Sequence, residues 1–170
     1  MPAHAGIDVD ADEGGVLTLL STPFALPPAA ILRSDGRQAS SSALHEDGLT
    51  LVLIGHRTCK TTRQTIPFID RIHKDGGRAV LLMQDTPEDA MEALVKLNAT
   101  IPFFLEPDPY VFSAAIGLVT VPTLLFVESD GRVSTTSEAF RRPDIDAFAA
   151  RLGAPRPVIE NDPMGAFKPG

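Results

Sequence analysis

The 170-residue chain has a single cysteine, Cys59, and no tryptophan. One thiol cannot close a disulfide within the chain, so a disulfide-stapled scaffold is excluded, as is a zinc site built on CxxC pairs. Whatever thiol chemistry exists belongs to Cys59 alone. Basic residues are also scarce: 15 Lys and Arg stand against 22 Asp and Glu, a formal net charge of -7. That balance disfavours sequence-independent nucleic-acid binding by phosphate neutralisation. No stretch approaches the ~20 consecutive apolar residues of a membrane span, and Met1 to Asp12 carries Asp8, Asp10 and Asp12 where a secretory signal needs basic charge. Neither a nucleic-acid nor a membrane partner is expected, and a cytoplasmic location, where thiols stay reduced, is the default. Neither GxxxxGK[ST] nor GxGxxG occurs, so no cofactor is expected on the basis of a phosphate-binding loop.

What remains is an ordinary globular composition, 44% hydrophobic and 22% charged, sized for one domain. Proline crowds the ends of the chain. Residues 1–14 read as a flexible N-terminal tail and residues 154–170 as a Pro/Gly-rich tail, flexible or laid on the surface as an arm, around a domain of residues 15–153. Within that domain Val16 to Leu20 reads as a strand, and Ala30 to Gln38 as a hairpin or tight loop around Asp35-Gly36, followed by a capped turn at Ser40 to Ser42. Leu49 to Ile54 is a continuous apolar run, as expected of a central strand buried on both faces.

A helix follows from Cys59 to about Lys74, with Pro67 predicting a kink. Ala79 to Met83 is a second buried strand. Thr86-Pro87 opens a helix to about Asn98. Pro102 to Glu106 is a short strand and Pro109 to Ile116 a short helix. Leu124 to Val127 pairs with Arg132 to Thr135, and a last helix runs from about Pro143 to Leu152. This order describes an α/β fold, a central mixed sheet with helices on both faces and an N-terminal strand and hairpin extension.

The chemistry gathers around Cys59, which closes a strand and turn and opens a helix. Between Leu49 and Ile69 there is no acidic residue, whereas His56, Arg57, Lys60 and Arg63 surround the cysteine. Nearby cations and a helix N-terminus both favour thiolate over thiol. Thr62, one turn on, shares a helix face with Cys59 and is expected to donate its hydroxyl to the sulfur. Taken alone, a cysteine after a buried strand also reads as a small core hydrophobe, and the cations as a solvated helix face. His56 and Cys59 have no third ligand near them, and His4, His45 and His73 form no group, so no metal is expected.

The strand Leu49 to Ile54, the segment Gly55-His56-Arg57-Thr58-Cys59-Lys60-Thr61-Thr62, the helix proline Pro67 and the run Val121-Pro122-Thr123 before a hairpin together resemble the thioredoxin-like superfamily. The leading part, Leu26 to Asp47, and Phe104 through Arg132 are more similar to its redoxin branch, the peroxiredoxin-like and cytochrome-maturation thioredoxins. The resemblance implies a thioredoxin-like fold over Val16 to Leu152, Cys59 as nucleophile and Pro122 as a cis-proline facing the substrate, with Val121 pairing to it. The family's CxxC is here Cys59-Lys60-Thr61-Thr62, so the resolving position is Thr62. The buried acid of thioredoxin falls at Leu53, and the threonine that a peroxiredoxin needs three residues before its cysteine is His56.

The implied activity is therefore monothiol. Cys59, assisted by Thr62 and Pro122, would exchange with a disulfide-containing protein or a low-molecular-weight thiol such as glutathione, held by His56, Arg57, Lys60, Arg63 and Val121, and an external thiol would resolve it. A redox-inactive binding module with the same fold is the alternative, and a one-cysteine peroxidase with an antioxidant role is the third reading. Nothing in the sequence demands an oligomer.

Overall fold

The computed structural model describes residues 20–170. The expected N-terminal tail and the strand Val16 to Leu20 lie outside the described residues, except Leu20, which is buried. In chain order the elements are β1 Phe24–Ala25, β2 Ala30–Arg33, β3 Gln38–Ser40, a 3-10 turn Ser41–His45, β4 Thr50–Gly55, α1 Lys60–Lys74, β5 Ala79–Met83, α2 Pro87–Lys96 and β6 Phe103–Leu105. Then come α3 Val111–Ile116, β7 Thr123–Val127, β8 Arg132–Glu138, β9 Phe140–Arg141, α4 Arg142–Arg151 and β10 Phe167–Lys168.

Eight strands form one mixed sheet in the order β1-β8-β7-β4-β5-β6-β2-β3. The apolar run in β4 lies inside it, parallel to β5 and antiparallel to β7, with Leu53 opposite Leu81 on one side and Leu124 on the other. β2 and β3 form the hairpin expected around Asp35-Gly36, with Gly36 at φ +86. That hairpin extends the far edge of the sheet by pairing with β6.

Strand alternation divides the core into two layers. Leu51, Leu53, Leu81, Met83 and Phe126 pack with Ile66, Ile69 and Ile72 of α1, Ala90 and Leu94 of α2, and Phe148 of α4. Val52, Ile54, Leu82 and Leu125 face the other way, onto Phe112 of α3 and Leu44 of the 3-10 turn. Burial of each such side chain contributes about 1.5–3 kcal/mol, so two covered faces hold the central strands rigidly. The C-terminal ends of β4, β5 and β6 are thereby fixed side by side, and the loops leaving them carry Cys59, Asp85 and Glu106.

Three local features complete the fold. α1 continues through Pro67, held on both sides by Ile66 and Phe68 in the core. Asp144, in the first turn of α4, accepts a hydrogen bond from the Ser137 hydroxyl at 2.6 Å. The segment 154–170 is an arm: Ala154, Pro157 and Met164 are buried, and β10 pairs antiparallel with β9. Arg142 anchors it, donating from Nη2 to Asp162 Oδ2 and to the Met164 carbonyl, each at 2.7 Å.

Candidate active site

β4 ends at Gly55, whose carbonyl accepts the Gln84 N–H at 2.8 Å. A Cβ on Gly55 would run into the Thr62 methyl, so only glycine lets α1 pack this close to the strand end. The chain then turns through residues 56–59, closed by the Cys59 N–H donating to the His56 carbonyl at 3.0 Å. Cys59 takes the N-cap position of α1 in extended conformation, φ -76 and ψ 117. Its sulfur stands where Ser, Thr or Asp oxygen usually accepts the orphan N–H groups of a first turn.

The Thr62 backbone N–H donates to Cys59 Sγ at 3.4 Å, and Sγ–H donates to the Val121 carbonyl at 3.5 Å. Cys59 is partly exposed, and both groups hydrogen-bonded to its sulfur are backbone groups. The Val121–Pro122 peptide is cis, and the loop that carries it faces the start of α1. Pro122 is buried, so the accessible edge of that loop is the backbone of Thr120 and Val121.

Thr62 departs from its expected role. It is completely buried, and its Oγ1 has no hydrogen-bond partner. The backbone of Thr62, not its hydroxyl, serves the sulfur.

The basic cluster is also rearranged. Asp85, at the end of β5, accepts the Arg57 N–H at 3.1 Å and sits 3.4 Å from His56 Nε2, while Arg57 Nη2 reaches Asp89 of α2 at 3.4 Å. The Thr58 N–H donates to His56 Nδ1 at 3.1 Å. His56 thus lies between Thr58 and Asp85 and braces the loop. Arg63 donates to the Arg57 carbonyl at 2.7 Å. Of the four basic residues around Cys59, Lys60 and Arg63 are exposed and form none of the ion pairs among the described residues. The acid-free stretch in sequence is thus answered in space by carboxylates from the next strand and helix. Burial pushes the Asp85 carboxyl above its ordinary value, against the opposing pull of His56 and Arg57.

A second buried acid lies nearby. Glu106, at the end of β6, accepts from the Ser113 N–H at 2.5 Å and the Ser113 hydroxyl at 2.6 Å, and Gln84 donates to Ser113 Oγ at 3.0 Å. Burial raises the Glu106 carboxyl, partly offset by the Ser113 bonds. Gln84 and Ser113 also line a cleft of about 340 Å³ with Tyr110, Val119, Thr120 and Val121. A larger cleft of about 950 Å³ lies beside Thr50, the end of β4 away from Cys59, and is lined by none of His56, Arg57, Cys59, Lys60, Thr62, Arg63, Val121 and Pro122. The smaller cleft is the one that adjoins the thiol.

No group of three or more His, Cys, Asp or Glu suited to a metal ion occurs among the described residues. No helix among them is long and apolar enough to cross a membrane. Sequence reading had missed Asp85, Glu106 and Ser113, whose only signal was a carboxylate or hydroxyl placed just after a buried strand or in a short helix. Thr61 and Gln64 were missed as well. Both face the arm, where Thr61 Oγ1 donates to the Pro169 carbonyl at 2.5 Å and Lys168 Nζ donates to Gln64 Oε1.

No protein-family profile matches the chain, and no curated protein sequence does. Solved structures do. A thiol:disulfide interchange protein from Bacteroides sp. superposes with TM-score 0.65 at 18% identity, over 79% of this chain and 92% of that one. The thioredoxin domain of a thiol-disulfide oxidoreductase from Bacteroides vulgatus gives TM-score 0.65 at 16% identity, over 78% and 97%. A DsbF homologue from Corynebacterium diphtheriae gives TM-score 0.63 at 15% identity, over 83% and 96%. The protein therefore has the thioredoxin-like fold. Other solved structures with this fold include a putative thiol:disulfide interchange protein DsbE from Chlorobium tepidum and a secreted disulfide oxidoreductase of Mycobacterium tuberculosis homologous to DsbE.

Proposed function

We propose that the protein is a thiol-disulfide oxidoreductase that works through one nucleophilic cysteine, Cys59, with an external thiol completing the cycle. The observation that carries this reading is the setting of the sulfur: partly exposed, at a helix N-cap, with the Thr62 N–H 3.4 Å away and the Val121 carbonyl 3.5 Å away. The thiolate is the attacking species, and a partly exposed sulfur at the start of a helix can be reached by a partner disulfide.

The Cys59 thiolate attacks one sulfur of a partner disulfide, forming a mixed disulfide and releasing the other sulfur as thiolate. A second, external thiolate then attacks the partner's sulfur, forms a disulfide with it and returns Cys59 as thiolate. In sum the external thiol takes the place of one sulfur of the original disulfide, so one S–S bond breaks and one forms, Cys59 is regenerated, and no second cysteine is needed. Pro122 shapes the loop that presents Val121 to the partner. Lys60 and Arg63, exposed at the start of α1, offer positive charge to an anionic thiol such as glutathione. His56 and Arg57 hold the loop through Asp85. A reducing compartment, the cytoplasm, suits a protein whose lone cysteine has to stay free.

The test is incubation of the folded protein with oxidised glutathione, followed by intact mass. One adduct is expected, lost in Cys59→Ser and reversed by reduced glutathione. A folded protein that stays unmodified at neutral pH would defeat the reading in favour of a binding module, and a sulfenic acid trapped after low peroxide, without disulfide exchange, would favour a peroxidase.

A further inference from the structure

The arm does not stop at the β10 pairing. Phe167 lies under the Arg141 guanidinium, 4.9 Å from Arg141 Cζ to the ring centroid. Lys168 reaches Gln64, and the Pro169 carbonyl accepts the Thr61 hydroxyl at 2.5 Å. Gly170 rests on the cis-proline loop so closely that a Cβ there would run into the Val121 carbonyl oxygen and come within 2.8 Å of Thr120 Oγ1. That same carbonyl accepts from Cys59 Sγ. Four consecutive residues of the chain thus contact Arg141, the first turns of α1 and the cis-proline loop, and end against the atom that also contacts the thiol.

We infer that Thr61, Gln64 and the Thr120–Val121 edge form a peptide-docking subsite beside Cys59, and that residues 167–170 fill it in cis. The chemistry of the subsite defines its ligand. Gln64 Oε1 accepts from a cation, which selects Lys or Arg at the first position. The Thr61 hydroxyl donates to the carbonyl of the next residue, where Pro169 brings no N–H that needs a partner. The Val121 carbonyl leaves room for glycine alone at the third. The ligand is an extended peptide carrying a basic residue, then proline, then glycine. In naming a disulfide-bearing peptide as the competing occupant this inference rests on the reading above, because such a partner has to lift the arm to reach Val121.

The arm is built to lift. Its base is held at Met164, which is buried, and by the Arg142 N–H donating to the Ala166 carbonyl at 2.8 Å. Beyond that base Phe167 and Lys168 are half-buried and Pro169 and Gly170 exposed. Substitutions at Lys168 and Gly170 therefore release the outer arm without touching the core.

Two measurements test this. The first is alkylation of Cys59 by a bulky maleimide carrying a polyethylene glycol chain, followed by mass. Lys168→Glu with Gly170→Val is expected to raise the rate about fivefold or more, the factor carried by a single net hydrogen bond. Thr61→Val, a buried change of similar shape that leaves the arm sequence intact, should raise it in the same direction. The second is fluorescence anisotropy of a labelled Ala-Phe-Lys-Pro-Gly peptide, which should bind the arm-released variant and not the wild type, while a peptide with Glu in place of Lys binds neither. An unchanged alkylation rate in both variants, or equal peptide binding to wild type and variant, would overturn the inference. Alkylation requires only a thiol, so the two readings fail separately. Faster alkylation with no glutathione adduct keeps the subsite and removes the redox role, and an adduct with unchanged alkylation does the reverse.

Discussion

Thr62→Val is the sharpest test of how the sulfur is served. Thr62 is completely buried on the face of α1 that meets Gly55, and its hydroxyl has no partner. A buried polar group left unpaired costs about 1–3 kcal/mol. Valine keeps the branched shape, replaces the orphaned oxygen with a methyl and has nearly the same helix propensity, so most of that cost should be recovered. In a domain of this size each kcal/mol moves Tm by about 2–4 °C, which sets an expected rise of ~2–10 °C. Urea unfolding should be followed by far-ultraviolet circular dichroism, because the chain has no tryptophan and one tyrosine. The midpoint should rise with the slope unchanged. The alkylation rate of Cys59 by iodoacetamide should also be unchanged, because the donor to Sγ is the backbone N–H, which valine retains. A variant destabilised by ~1 kcal/mol or more would show that the hydroxyl makes a net hydrogen bond. A slower thiol would return that hydroxyl to the sulfur.

Asp70 tethers α1 to the loop before β6: Oδ1 accepts the N–H groups of Thr100 and Ile101 at 2.8 and 2.9 Å, and Oδ2 meets Lys74 at 2.8 Å. Asp70→Ala strands both donors and should cost about 2–5 kcal/mol in urea unfolding, with Asp70→Asn losing less because its carbonyl oxygen still accepts. Equal loss in the two variants would refute the tether. Glu106 is held above the ordinary glutamate range by burial. The folded state therefore binds its proton more tightly than the unfolded chain, and stability from this group falls as pH rises from about 4.3 toward the raised folded value. Glu106→Gln removes that dependence, so its urea midpoint relative to wild type should improve from pH 4 to pH 7. A constant or declining difference would contradict the assignment.

The geometry also explains how a protein of net charge -7 keeps a cationic thiol site. Most of its acids lie elsewhere, and the two that approach are spent on the loop: Asp85 on His56 and the Arg57 backbone, Asp89 on the Arg57 guanidinium. The charge left facing solvent beside Cys59 is that of Lys60 and Arg63. Single-residue reading counted four basic groups, of which two, His56 and Arg57, face carboxylates.

Much of the fold was legible because its signals are local. The continuous apolar runs became β4 and β5 almost to the residue, the Asp35-Gly36 signal became the β2–β3 turn, and Thr86-Pro87 opened α2. The two-residue strands β1, β9 and β10 escaped, because two residues carry no period and each exists only through its partner.

Taken by itself the sequence determined the alternation of strands and helices, the place of Cys59 at a helix start and the impossibility of an internal disulfide, since each depends on neighbouring residues or a count. Only the tertiary structure decided what surrounds the sulfur. Asp85 meets Arg57 across 28 positions, Val121 meets Cys59 across 62 and Pro169 meets Thr61 across 108. Periodicity and propensity hold information over a turn or two of chain, whereas these contacts follow from how the packed sheet brings its strand ends, the cis-proline loop and the arm to one place.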